Sequence, residues 1–381
     1  MKKIPLIDLI KYFLYVGTTI YGGPLAIIDN FRKDMVEKKK WINQDEFSNI
    51  FAYTQVAPGP ISYQFCVYFS YFKNGFWAAL FSGIALIIPS FVLMLIFSVS
   101  YQFYGKNTYY ENFLYGISPV VIAIILHSGF NLGKSIFKKD FFLYLVACVS
   151  LLFTVFFKFH IIFTVLALGI ITILYYSVIN NKKLSSISIP VILIFIGKLF
   201  LLFQEAKFFL FKLALVFLKV GALTYGSGYV IVGALQQEIV QNYGWLTAKE
   251  FIDGIAFGNI TPGPVVITST FIGYMTSGIP GSIVATAAIF LPTFIFVILI
   301  AGRIKKFEKN FYLQSFLKGI NAAAIGAILA TAVFLSKDSI VDVPGIVLFV
   351  SSLIVLFFAR LKTLYLIIIG GILGIVIRMI F

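Results

Sequence analysis

Charge is scarce in this chain, and acidic charge is scarcest. Of 381 residues, 12% are charged, with 15 Asp and Glu against 30 Lys and Arg. Soluble domains carry about a quarter charged residues. The chain has only two histidines and two cysteines. Cys66 and Cys148 lack metal-ligand spacing and lie in apolar runs, so they read as small core residues, not as a redox pair or a metal site. An integral-membrane enzyme acting on lipid-linked phosphate would need a nucleophile, an acid–base pair or a metal cluster, and the few histidines and unclustered acids supply none. No Gly-rich loop ending in Lys-Ser/Thr is present, so no ATP motor is encoded. No cleavable signal peptide is expected, because Gly22-Gly23-Pro24 and a basic loop follow the first apolar stretch. No cofactor is expected either.

What is abundant is apolar surface, at 60% of residues. Runs near or above the roughly 18 residues needed to span a bilayer recur throughout. They fall at about 76–104, 113–133, 141–157, 161–179, 283–301, 311–335, 343–358 and 364–380. The expectation is an all-α polytopic integral membrane protein with the lipid bilayer as its partner. The formal charge of +15 does not signal nucleic acid, because the basic residues sit in loops between spans, where they set orientation.

The chain repeats itself. Phe13-Leu14-Tyr15-Val16-Gly17 returns as Phe217-Leu218-Lys219-Val220-Gly221, Tyr21-Gly22 as Tyr225-Gly226, and Trp41, Glu46 and Phe47 as Trp245, Glu250 and Phe251. Pro58-Gly59-Pro60 returns as Pro262-Gly263-Pro264, all at an offset of 204 residues. Downstream the offset is 203, pairing Pro89 with Pro292 and Gly116 with Gly319. Expected units are 1–180, a linking span within 181–204, and 205–381. Each unit opens with a broken helix (6–32 and 208–234) and a Pro-Gly-Pro element (44–72 and 248–277). One unpaired span, 187–203, would invert the second half relative to the first. Lys and Arg agree: Arg32, Lys33, Lys38, Lys39 and Lys40 follow the first broken helix, but only Lys249 follows its counterpart. Lys106 stands alone where the second half has Arg303, Lys305, Lys306 and Lys309. Basic loops face the cytoplasm, which puts the N-terminus and the Arg32 to Lys40 loop inside and the C-terminus outside if the broken elements are re-entrant; if both cross fully, everything downstream keeps its side but that loop moves outside.

The repeated residues are helix breakers, and paired breaks in corresponding halves point to a transport site. Pro58 and Pro262 stop one helix, while Pro60 and Pro264 suit the first position of the next. The helix beginning there exposes N–H groups and a positive dipole end, which suits an anion. The alternative is a proline kink in a packed span. Gly22, Gly23, Gly226 and Ser227 permit unwinding or tight helix packing. Gln55, Ser62, Asn259, Thr261, Thr268 and Ser269 could donate hydrogen bonds to an oxyanion. Asp29, Glu46, Glu250, Asp253 and His127 are the candidates for proton coupling. Against that role, Asn43 with Glu46 and Thr247 with Glu250 have capping-box spacing, and His127 has Ala330 as its counterpart.

With its aromatic-Gly-Gly-Pro block at Tyr21–Pro24, the Trp41 to Glu46-Phe47 block, the Pro-Gly-Pro motifs and Phe290-Leu291-Pro292, the chain resembles the chromate ion transporter family in its two-domain form. The resemblance covers nearly the whole chain. Tyr21 and Tyr225 stand where Phe is usual, and Asn259 where Gln is common. It implies efflux of chromate, a tetrahedral dianion, with proton coupling left open. Transport of sulfate or another inorganic anion, by carrier or channel, is the alternative. A homodimer is left open.

Overall fold

The computed structural model describes residues 3–21, 24–54, 57–138, 140–157, 159–182, 208–223, 228–301, 310–359 and 361–380. The expected linking span at 187–203, the basic residues at 303–309 and the candidates Gly22, Gly23, Gln55, Gly226 and Ser227 lie outside the described residues.

The described elements are helical, and their order repeats. The first half holds α1 (Leu6–Thr19), α2 (Pro24–Arg32) with a π-helical turn (Lys33–Lys38), α3 (Gln44–Thr54), α4 (Ile61–Asn74), α5 (Phe76–Tyr104), α6 (Thr108–Phe137), α7 (Phe141–Phe156) and α8 (Ile161–Ile179). The second holds α9 (Phe209–Leu223), α10 (Gly228–Gln236) with its own π-helical turn (Gln237–Asn242), α11 (Ala248–Ile260), a 3-10 turn (Val265–Ile267), α12 (Thr268–Ala301), α13 (Phe311–Ser339), α14 (Val343–Ile354) and α15 (Thr363–Ile380). Among the described residues, 6 helices are long and apolar enough to cross a membrane. On α5 the bulky apolar residues Trp77, Phe81, Ile84, Ile88, Val92 and Ile96 are exposed, and Ala78, Ala79, Ser82, Gly83 and Ser90 are buried. Small residues inside and large ones outside is the pattern of a helix packed in lipid.

The backbone repeats as closely as the sequence. Positive φ occurs at Gly59 (106°) and Gly263 (96°), and again at Gly75 (82°) and Gly278 (62°). Gly278 and Ser277 interrupt α12, so its first turns correspond to α4 and the rest to α5. The two halves also interlock. The second half's α13 packs on α7 and α8, and the first half's α6 packs on α14 and α15. Glycines allow the approach, Gly116 lying against Gly370 and Gly374, and Gly319 against Gly169 and Thr172.

The 29-residue helix α5 separates the repeated loops. At its start, Asn74 bonds both the N–H (3.3 Å) and the carbonyl (2.5 Å) of Ile4, and Lys73 Nζ donates to the Trp41 carbonyl at 3.1 Å. At its far end, Tyr274 donates to Gln102 at 2.7 Å, and Lys249 lies 3.7 Å from Glu111 at the start of α6. Trp41, just before α3, and Lys249, in the first turn of α11, stand at neighbouring places of the repeated unit, yet they lie at opposite ends of a helix about 43 Å long, at about 1.5 Å per residue.

Candidate functional site

At both Pro-Gly-Pro elements the middle glycine has a φ that favours glycine alone. Pro60 and Pro264 are extended N-cap residues, one position before the first helical residue expected from the sequence. A proline φ suits either position. Beyond Pro60, α4 begins at once. The N–H groups of Ile61, Ser62 and Tyr63 have no intrahelical acceptor, as in any first turn, and Gln64 N–H donates to the Pro60 carbonyl at 3.0 Å. The Gln64 amide reaches back and donates to the carbonyls of Ala57 and Gly59, each at 2.9 Å. Beyond Pro264 the chain instead tightens into a 3-10 turn, with Ile267 N–H donating to Pro264 at 3.0 Å.

The elements touch across the halves. Any side chain on Gly59 would collide with the Thr293 hydroxyl, and any on Gly263 with the Ser90 hydroxyl. Ser90 and Thr293 are repeat equivalents, each following a repeated proline (Pro89 and Pro292). Ser90 Oγ donates to the Pro262 carbonyl at 2.6 Å, and Gly263 N–H donates to the Ile20 carbonyl at 3.1 Å. Among the described residues, Thr293 Oγ1 is buried without a hydrogen-bond partner.

Ser62, Asn259, Thr261, Thr268 and Ser269 are all buried around these elements. Thr261 Oγ1 donates to Phe257 (2.7 Å), Asn259 Nδ2 to Ile255 (2.9 Å) and Thr268 Oγ1 to Val265 (2.9 Å). The structure therefore brings Pro58, Gly59, Pro60 and Ser62 into one buried cluster with Thr293, and Pro262, Gly263 and Pro264 into another with Ser90.

The proton-coupling candidates have other partners. Asp29 is exposed at the end of α2, bonded to Lys33 at 2.6 Å and flanked by Arg32, and these hold its carboxyl below its ordinary range. Glu46 and Glu250 complete capping boxes. Asn43 Oδ1 accepts from Glu46 N–H at 2.8 Å, Asn43 N–H donates to Glu46 at 3.4 Å, and Thr247 N–H donates to Glu250 at 2.8 Å. Asp253 is buried and accepts from the Tyr101 hydroxyl at 2.9 Å. His127 lines an open cleft of 440 Å³ with Asn131, Lys134 and Thr363, its ring edge-on to Phe357 at 5.0 Å.

Sequence reasoning missed three features. Gln64 interrupts the apolar run Tyr63–Phe69 one turn after a break, a signal that was available. Thr293 had its signal in the hydroxyl residue after each repeated proline. The third is a buried ion cluster in which Glu238 pairs with Lys219 and with His160 Nε2 at 2.5 Å. Lys219 and Glu238 belong to repeated segments, but nothing in the pattern ties either to His160.

Two copies of one helical unit, each with a Pro-Gly-Pro break buried against the other copy, define a polytopic membrane protein of transporter type. The comparisons give the family: the chromate transporter model matches residues 7–173 and 211–375, so the chain belongs to the chromate transporter family, which is not an enzyme family. A chromate transport protein of Cupriavidus metallidurans is 35% identical over 340 residues, covering 88% of this chain and 84% of the relative. A probable chromate transport protein of Synechococcus elongatus is 32% identical over 354 residues, covering 91% and 89%. A chromate transport protein of Pseudomonas aeruginosa is 28% identical over 370 residues, covering 94% and 86%. No solved structure matches the chain.

Proposed function

We propose that this protein exports chromate across the cytoplasmic membrane, as a carrier built of two inverted halves whose re-entrant Pro-Gly-Pro elements hold the ion. The observation that carries the reading is the pair of buried Pro-Gly-Pro breaks, each seated on the residue after the repeated proline of the other half. Helix N-termini opening between two repeats form an anion site of the kind transporters use. Three relatives of matching length that bear the name of chromate transport support the choice of ion. The inverted arrangement is supported by the loops of Trp41 and Lys249 at opposite ends of α5. Re-entry is supported by Lys73, at the end of α4, bonding Trp41 before α3. The basic loops then put the N-terminus in the cytoplasm and the C-terminus outside.

Export follows the membrane potential. A dianion leaving an inside-negative cell gains about 4.6 kcal/mol per 100 mV, from about 2.3 per charge. At about 1.36 kcal/mol per decade, that sustains a gradient of roughly two-thousand-fold without a coupling ion. Uptake of labelled chromate by inside-out vesicles, with sulfate as competitor, tests the function. Chromate counterflow against unlabelled chromate is expected of a carrier, and its absence would indicate a pore. Sulfate moving in preference to chromate would reassign the ion.

A further inference from the structure

The repeat makes the two Pro-Gly-Pro elements equivalent in sequence, but their hydrogen bonding is not equivalent. Around the second, the hydroxyl after the repeated proline is bonded, although Ser269 Oγ at the start of α12 is buried without a partner among the described residues. The Pro262 carbonyl accepts from Ser90, Gly263 N–H donates to Ile20, and Thr261 and Thr268 donate to carbonyls of their own helices. The following 3-10 turn also tightens the helix start. Around the first, α4 opens directly, 14 residues long, with three N–H groups facing its N-terminal end. Against Gly59, two residues before that helix, sits the Thr293 hydroxyl, on a residue with 0% exposure and no partner among the described residues.

Thr293 shares this missing bond with Thr154 among the buried threonines of the described helices. Thr172, Thr286 and Thr331 instead return their hydroxyls to a carbonyl one turn back, Thr172 to Leu168 at 2.7 Å, Thr286 to Ser282 at 2.7 Å and Thr331 to Ala327 at 2.8 Å. Ser90, the repeat partner of Thr293, has the Pro262 carbonyl. A buried hydroxyl without a partner is costly, so such a group needs an account. Here an unpartnered hydroxyl from one half lies against Gly59, two residues before a helix start of the other. Gln64 adds to the case by holding the carbonyls of Ala57 and Gly59, which would otherwise present negative partial charge to an anion.

We infer that the first Pro-Gly-Pro element alone holds the tetrahedral oxyanion, with the Thr293 hydroxyl supplied as a ligand by the second half. The second element is an internally bonded strut, locked by Ser90. Gln64 is a positioning residue that keeps the loop carbonyls occupied. The assignment rests on the oxyanion-transport reading above and selects between two copies that the reading leaves equal.

Initial rates of chromate transport in reconstituted vesicles at fixed potential test this, with Thr293→Val, Thr293→Ser, Ser90→Ala and Gln64→Leu compared with the wild type. Loss of one hydrogen bond to a charged ligand should raise KM roughly tenfold or more in Thr293→Val. Thr293→Ser should restore KM to near the wild-type value. Ser90→Ala should leave KM unchanged while lowering yield and Tm. Gln64→Leu should raise KM with kcat retained, a split that a merely structural role would not produce. An unchanged KM in Thr293→Val, or an equal rise in Ser90→Ala, overturns the asymmetry. Should Thr293→Val not reach the membrane, Thr293→Ala gives the same reading. Wild-type vesicles that move neither chromate nor sulfate would remove the functional reading and this assignment with it. An active wild type with an indifferent Thr293→Val removes the assignment alone.

Discussion

Single residues in the breaks carry two separable demands, backbone conformation and space. Gly59 has both: a φ of 106° and the Thr293 hydroxyl where a side chain would go. Gly75 has only the first, with a φ of 82° and nothing within 4 Å of an added Cβ. Gly59→Ala should therefore lower Tm more than Gly75→Ala. Conformational strain of about 1–3 kcal/mol should be common to both. Gly59→Ala/Thr293→Ala should recover the steric part only, and scanning calorimetry or a thermal-shift assay in detergent would show it. Equal losses at the two glycines would mean that Thr293 gives way freely. The glutamates behave differently. In Glu46→Gln and Glu250→Gln an amide can still fill the box, so only a small stability loss is expected. Thr247→Ala removes the cap itself and should cost about 1 kcal/mol. Flux in the two Gln variants should respond to a pH step as in the wild type, and loss of that response with normal protein levels would assign the carboxylates to coupling. These roles were legible from spacing alone, since a capping box is local. The Thr293 contact was not, because it joins residues 234 positions apart (59 to 293) and only the fold brings them together.

At the scale of elements, the two π-helical turns occupy equivalent places but have diverged in how they are held. In the first, Asp34 pairs with exposed Lys38 at 2.8 Å and accepts from Tyr12 at 3.4 Å. In the second, Glu238 is buried between Lys219 of α9 and His160 at the N-cap of α8, while Gln237 accepts from Ile161 N–H at 2.6 Å and donates to the Phe159 carbonyl at 3.1 Å. These bonds staple the α7–α8 connection to the second broken helix. Leaving a buried charge with no partner costs about 3–5 kcal/mol, and with His160 still beside Glu238 the loss of Lys219 should cost less than that. Lys219→Met should accordingly be less stable than the wild type. Lys219→Met/Glu238→Gln should be closer to it, because it removes both charges. Thermal unfolding of the purified variants checks the order, and a double variant worse than the single would show that the pair contributes more than neutrality. The long apolar elements were legible: the runs at 76–104 and 161–179 coincide with α5 and α8. The run at 113–133 fell short of α6, which continues through polar residues at both ends to Thr108 and Phe137. Hydropathy finds the lipid-embedded part of a helix, whereas backbone hydrogen bonding carries the helix on into water.

For the whole molecule, the repeat in the sequence implied two units, but not that each would close on the other. The first half's α6 is covered by the second half's α14 and α15, and α13 by α7 and α8, so neither half buries its long helix alone. In the inverted arrangement proposed above, equivalent loops fall on opposite faces. Lys38, with a side chain 74% exposed, follows the first broken helix, and Lys249, 59% exposed, lies just beyond the second. In a Cys148→Ala background, with Cys66 fully buried and unreactive, cysteines introduced at these two positions should label from opposite sides. A membrane-impermeant maleimide should reach Lys249→Cys in intact cells, and Lys38→Cys only after the membrane is opened. Five basic residues in the first loop against one in the second set this direction through the preference of Lys and Arg for the cytoplasm. Labelling of both positions from one face would break the inverted arrangement. Labelling from opposite faces in the reverse sense would keep the inversion and turn the protein over, making the basic loop the outer one.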